Sequence, residues 1–176
     1  MKKIIVIGCP GSGKSTFSKA LHKITGIPLF HLDMMYWNAD RTIVEKPVFL
    51  ERLANAMQTN AWIIDGNYAS TMEARLQACD TVIFLDYPLD VCLSGIKERR
   101  GKTRTDMPWT ENENEEDAAF IDFIKNYNLQ SRPTVLNLLS QYEAKEIHVL
   151  QSREEAFAFL QQVERLRKDE ASCQSL

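Results

Sequence analysis

The aliphatic run Ile4-Ile5-Val6-Ile7 leads straight into Gly8-Cys9-Pro10-Gly11-Ser12-Gly13-Lys14-Ser15, which fits G-x-x-x-x-G-K-[ST] without a mismatch. Phe17, Ala20, Leu21 and Ile24 follow at helical spacing, and Gly26 stands where a helix would stop. A buried strand, a glycine-rich turn and a helix in this order predict a β-loop-α unit of a parallel sheet. The glycines let successive backbone N–H groups converge on phosphate oxygens, at a helix N-terminus whose dipole favours anions. The expected nucleotide contacts are Gly8, Pro10, Gly11, Ser12, Gly13, Lys14, Ser15 and Thr16. Lys14 is expected to reach the outer phosphates of a nucleoside triphosphate as a catalytic charge, and the Ser15 hydroxyl to ligate Mg²⁺.

The same alternation continues along the chain. Residues 27–33 read as a second strand ending at Asp33, and Phe49, Leu50, Leu53 and Met57 mark a helix with Pro47 near its start. Ala61-Trp62-Ile63-Ile64 is apolar without alternation and ends at Asp65-Gly66-Asn67-Tyr68; Asp80–Asp86 has the same form, and Pro88 opens another helix. From Gly101 to Asp117 neither period holds, which predicts a short lid over 101–117. Helical spacing returns with Phe120, Ile121, Ile124 and Tyr127, and again after Pro133 with Val135, Leu138, Leu139 and Tyr142. A last strand at 147–150 precedes a helix carrying Phe157, Leu160 and Val163. Strands alternating with helices predict a three-layer α/β/α architecture, with one domain over 1–170 and a frayed tail over 171–176.

Charge narrows the partners. With 21 basic and 24 acidic residues the formal charge is −3, so no positive field would hold the chain on a nucleic acid. Cys9, Cys79, Cys92 and Cys173 are scattered, with no metal-ligand spacing, which fits a reduced cytoplasmic setting. The short apolar run at the start is far below membrane-spanning length, and oligomeric state is not legible.

Phosphoryl transfer needs Mg²⁺, positive charge around the migrating group and an acceptor held in line. Asp65, closing a strand parallel to the first, is the expected metal carboxylate beside Ser15; Asp33 and Asp86 have similar strand-end positions. Asp33, Tyr36, Trp37, Asn67 and Tyr68 are candidates for the acceptor pocket, His31 is expected to be structural, and Arg75 and Arg132 are weaker candidates for phosphate contacts. Arg99 and Arg104 stand where a helix meets the lid and are the expected catalytic arginines.

The phosphate loop, the segments Trp62–Tyr68 and Phe84–Pro88, and the arginine-rich lid together resemble the adenylate-kinase-like P-loop kinases. The stretch Gly101-Lys102-Thr103-Arg104-Thr105-Asp106-Met107-Pro108-Trp109 is most similar to the topology modulation proteins within them. The resemblance implies a P-loop NTPase fold like that of nucleoside monophosphate kinases, with a five-stranded parallel sheet, ATP as donor, Mg²⁺ as cofactor and a small-molecule acceptor. It also implies roles for Lys14, Ser15, Asp65 and Arg99. One departure bears on the acceptor: adenylate kinases carry an arginine soon after the Asp-Gly pair, whereas here the first is Arg75, which argues against AMP. A nucleotide-dependent regulator of DNA topology is the alternative reading, and the acidic balance gives it no support.

Overall fold

Strand β1 (Lys3–Gly8) runs through the middle of the molecule, and Ile4, Ile5, Val6 and Ile7 are all fully buried, as a strand covered on both faces requires. It pairs in parallel with β3 (Trp62–Asp65) on one side and β4 (Thr81–Leu85) on the other. β2 (Leu29–His31) and β5 (Glu146–Leu150) flank these, giving a five-stranded sheet of order β2-β3-β1-β4-β5 with every pairing parallel. The computed structural model describes residues 1–102, 104–109 and 118–173.

Alternate residues of each strand feed two cores. On one face Ile4, Val6, Ile63 and Ile83 pack with Phe17 and Leu21 of α1 (Lys14–Thr25), Cys92 and Ile96 of α5 (Leu89–Arg99) and Val163 of α7 (Arg153–Cys173). On the other, Ile5, Ile7, Ile64 and Phe84 meet Phe49 and Leu53 of α3 (Lys46–Met57) and Met72 and Leu76 of α4 (Ala69–Ala78). Both neighbours of β1 point their carboxyl ends the same way, so the loops after β1 and β3 open one crevice where the strand order reverses. Cys9, Cys79 and Cys92 are free, buried thiols. Among the described residues no helix is long and apolar enough to cross a membrane.

Two local expectations are corrected, and two helices extend the reading. The second strand stops at His31, and Asp33 lies in the first turn of a short helix, α2 (Leu32–Tyr36), rather than at a strand end. Helix α4 carried no expectation, although Met72 and Leu76 are spaced one turn apart in its sequence. Pro133 does not divide the following segment: α6 (Ala118–Leu139) is continuous across it. An interior proline costs a helix about 3 kcal/mol, but Ile124 and Tyr127 are buried in one core and Leu139 in the other, so packing holds both halves in line. Finally, α7 runs to Cys173, and residues 174–176 of the expected tail lie outside the described residues. Of the lid, Thr103 and 110–117 lie outside the described residues.

Candidate active site

The phosphate loop is braced from beneath by its own chain. Gly11 and Gly13 adopt left-handed backbone (φ 84° and 87°), conformations that side-chain-bearing residues seldom take. Gly13 caps α1, and a Cβ there would meet nothing within 4 Å, so the cradle is open on the side a phosphate would approach. Lys14, Ser15 and Thr16 open the helix, which has no acidic residue in its first turn, and all three line the cleft above it. Lys14 Nζ donates to the carbonyls of Gly8 (2.8 Å) and Cys9 (3.0 Å), and burial pushes its pKa down while Asp65 and Asp33 oppose that shift.

Two further contacts fix the loop. Asn67 grips the backbone of Gly8 at both ends, its Oδ1 accepting from the Gly8 N–H (3.0 Å) and its Nδ2 donating to the Gly8 carbonyl (2.8 Å). On the other side Gly11 lies backbone to backbone against Gly95 of α5: a Cβ on Gly95 would fall 2.1 Å from the Gly11 carbonyl oxygen. Gly95→Ala is therefore expected to destabilise the fold by about 1–3 kcal/mol, although alanine is the better helix former by about 1 kcal/mol. A urea midpoint at or above that of the parent would show that the contact is slack.

The carboxylates converge from β3 and α2. Asp65 is buried; its Oδ1 lies 2.8 Å from His31 Nδ1, and its Oδ2 has no hydrogen-bond partner. Asp33 accepts from the Tyr68 hydroxyl (2.7 Å), and its pKa is raised, chiefly by burial, with Tyr68 and Lys14 pulling the other way. An orphaned buried carboxylate oxygen beside a glycine cradle, a serine hydroxyl and an ammonium suits a magnesium-bound triphosphate. Among the described residues no group of three His, Cys, Asp or Glu could hold a metal alone, so the cation would take most of its ligands from phosphate oxygens and water, as Mg²⁺ does.

Above these groups lies a cleft of about 1040 Å³. One wall is Ile96, Arg99 and Phe120, with the Arg99 guanidinium 5.6 Å from the Phe120 ring centroid. The opposite wall holds Asp33, Trp37, Asn67 and Tyr68, and Trp109 meets Trp37 edge to face at 5.3 Å. Arg104 also faces the cleft, with Nη2 2.6 Å from Asp106 Oδ2.

Not every expected residue faces this space. Arg75 is fully buried: Nη1 donates to the Gly66 carbonyl (2.9 Å), and Nη2 to those of Asn67 and Tyr68 (3.2 Å for the latter), so it shapes the loop after β3 and is not available to a substrate. Burial draws its pKa down to about 10, which still leaves it charged at neutral pH. Arg132 is likewise committed, forming a two-pronged pair with Asp86 (2.7 Å for each prong), and this also takes Asp86 out of contention for the metal. Tyr36 stands behind Tyr68 (4.8 Å) and Phe49 (5.3 Å) as support for the pocket wall. Ser12 is buried beneath the loop, and Gly8 is occupied by Asn67.

Sequence reading missed Gly95, whose signal is a glycine in a helix interior, and Lys19 and Asp106, which form an ion pair across the cleft (3.2 Å). It missed Arg41 as well, which lines the cleft from a tight turn in left-handed conformation (φ 68°); nothing in its sequence context announces that.

No family model and no curated protein matches the sequence. Among solved structures, the chain is similar to a shikimate kinase from Bacteroides thetaiotaomicron, with a TM-score of 0.59 and 17% identity over 94% of this chain and 97% of that one. It is equally similar to a shikimate kinase from Acinetobacter baumannii in complex with shikimate, with a TM-score of 0.59 and 14% identity over 97% of this chain and 94% of the other. At such identity the likeness speaks for architecture, and that architecture is the α/β fold of the P-loop kinases.

Proposed function

We propose that the chain is a magnesium-dependent kinase that transfers the γ-phosphoryl group of ATP to a hydroxyl of a small-molecule acceptor. The observation that carries this reading is the placement of Asp33, a half-buried carboxylate of raised pKa, on the same cleft as the phosphate loop and Lys14. Asp33 accepts the proton of the acceptor hydroxyl as its oxygen bonds to phosphorus and the bond to ADP breaks, while Lys14, Arg99 and Arg104 stabilise the charge on the transferring group. Ser15 and Asp65 are assigned to the cation, which when bound neutralises the phosphate oxygens. Trp37, Asn67 and Tyr68 shape the acceptor wall. The narrower resemblance to topology modulation proteins is most particular over residues 101–109, and the acidic balance of the chain gives DNA no support as a ligand.

The test is ADP release measured with ATP and Mg²⁺ across a panel of hydroxylated metabolites, shikimate among them. Asp33→Asn is expected to lower turnover of the best acceptor by about 10²–10⁴-fold while leaving ATP affinity near that of the parent. Its stability should not fall. A carboxyl whose folded pKa is raised stabilises the protein only while protonated, and that contribution is lost as pH rises through the raised value, so above it the asparagine escapes a penalty the parent bears. A panel with no phosphorylated product would sink the proposal.

A further inference from the structure

The lid segment already holds an anion against the phosphate site, and it is the chain's own. Asp106 is buried (5% exposed) among the groups that a terminal phosphate would seek. Arg104 Nη2 donates to its Oδ2 at 2.6 Å, and Lys19 Nζ, from the second turn of α1, to its Oδ1 at 3.2 Å. The Ser15 hydroxyl also favours its charged form. Burial works against that charge, but Arg104, Ser15 and Lys19 together hold the carboxyl well below the usual range. Asp106 thus takes up cationic and hydroxyl capacity at the head of α1, and it is one of three carboxylates, with Asp33 and Asp65, on a cleft that also carries Lys14, Lys19, Arg41, Arg99, Arg100, Lys102 and Arg104.

Resting on the phosphate-loop reading above, we propose that Asp106 biases triphosphate binding toward the cation-loaded form. It is a specificity residue that disfavours the metal-free polyanion relative to the metal-loaded one. A bare triphosphate entering beside Ser15 meets a fixed negative charge in a partly dehydrated cleft, where repulsion is several times stronger than in water. A divalent cation carried with the phosphates would weaken that repulsion, because the complex brings two fewer negative charges to the carboxylate. Asp106 need not ligate the cation for this to hold; its charge suffices.

The experiment is calorimetric titration of the full chain with ATP at fixed ionic strength, once with Mg²⁺ and once with EDTA. It is made on the parent, Asp106→Asn and Lys19→Gln, with a melting curve to establish that each variant is folded. In Asp106→Asn, affinity for metal-free ATP should rise by about tenfold or more, the scale of one partly buried like-charge contact, while affinity for the magnesium complex changes much less. Lys19→Gln, a replacement at a half-exposed position, leaves Asp106 less neutralised and should widen the gap between the two forms. The inference is overturned if both affinities move by one factor, or if Asp106→Asn weakens only the magnesium complex, which would make Asp106 a metal ligand. A parent that takes up neither form refutes the phosphate-loop reading itself and this inference with it. A parent that binds the magnesium complex while its variants show no change in preference refutes the inference alone.

Discussion

Lys14→Met should abolish measurable phosphoryl transfer, lowering kcat by at least about 10²–10³-fold, the usual loss when one charge-stabilising donor leaves a dehydrated site. The fold should scarcely notice. Lys14 Nζ bonds two carbonyls, and of these the Gly8 oxygen keeps a second donor in Asn67 Nδ2. Burial already disfavours the charged ammonium, so its removal also lifts a desolvation cost. Methionine keeps the length and apolar stem of the side chain. The informative result is therefore a split: activity lost, with the urea midpoint within about 1 kcal/mol of the parent. If turnover survived, the ammonium would have no part in the chemistry.

Arg75→Met should show the reverse emphasis, a loss of about 2–4 kcal/mol in stability, because up to three buried carbonyls lose their donor at once. The figure is held down by the removal of a charge that burial disfavours. Arg75→Lys should rescue little of it, since one ammonium cannot reproduce a planar fork that serves the carbonyls of Gly66, Asn67 and Tyr68 together. Equilibrium unfolding in urea measures both variants. A change below about 1 kcal/mol for Arg75→Met would mean that water replaces the guanidinium at no cost. Activity should fall along with stability, because Asn67 links this loop to Gly8.

The sequence and the structure agree where one local rule dominates. The strand, glycines and helix of residues 4–25 form a unit whose every part is dictated nearby in the chain: apolar runs for burial on both faces, glycines for left-handed backbone, Gly26 for the helix end. The helix starts at Pro47 and Pro88 are legible for the same reason. What escaped depends on distant partners. Arg75 looks like any arginine near a loop until three carbonyls are found turned toward it, and Arg132 looks free until Asp86 is found 46 positions away. Pro133 reads as a helix break, because its neighbours' burial at both ends of α6 is a tertiary fact. Asp106 could not be placed at all from a segment with no periodicity, since its role arises from Lys19 on another element.

The grip of Asn67 on Gly8 ties the loops after β1 and β3 into a single mechanical part, with the buried guanidinium of Arg75 as its rivet. Change at the indole walls, Trp37 and Trp109, would leave that join intact, so related chains are expected to vary there more freely than at Gly66 and Asn67.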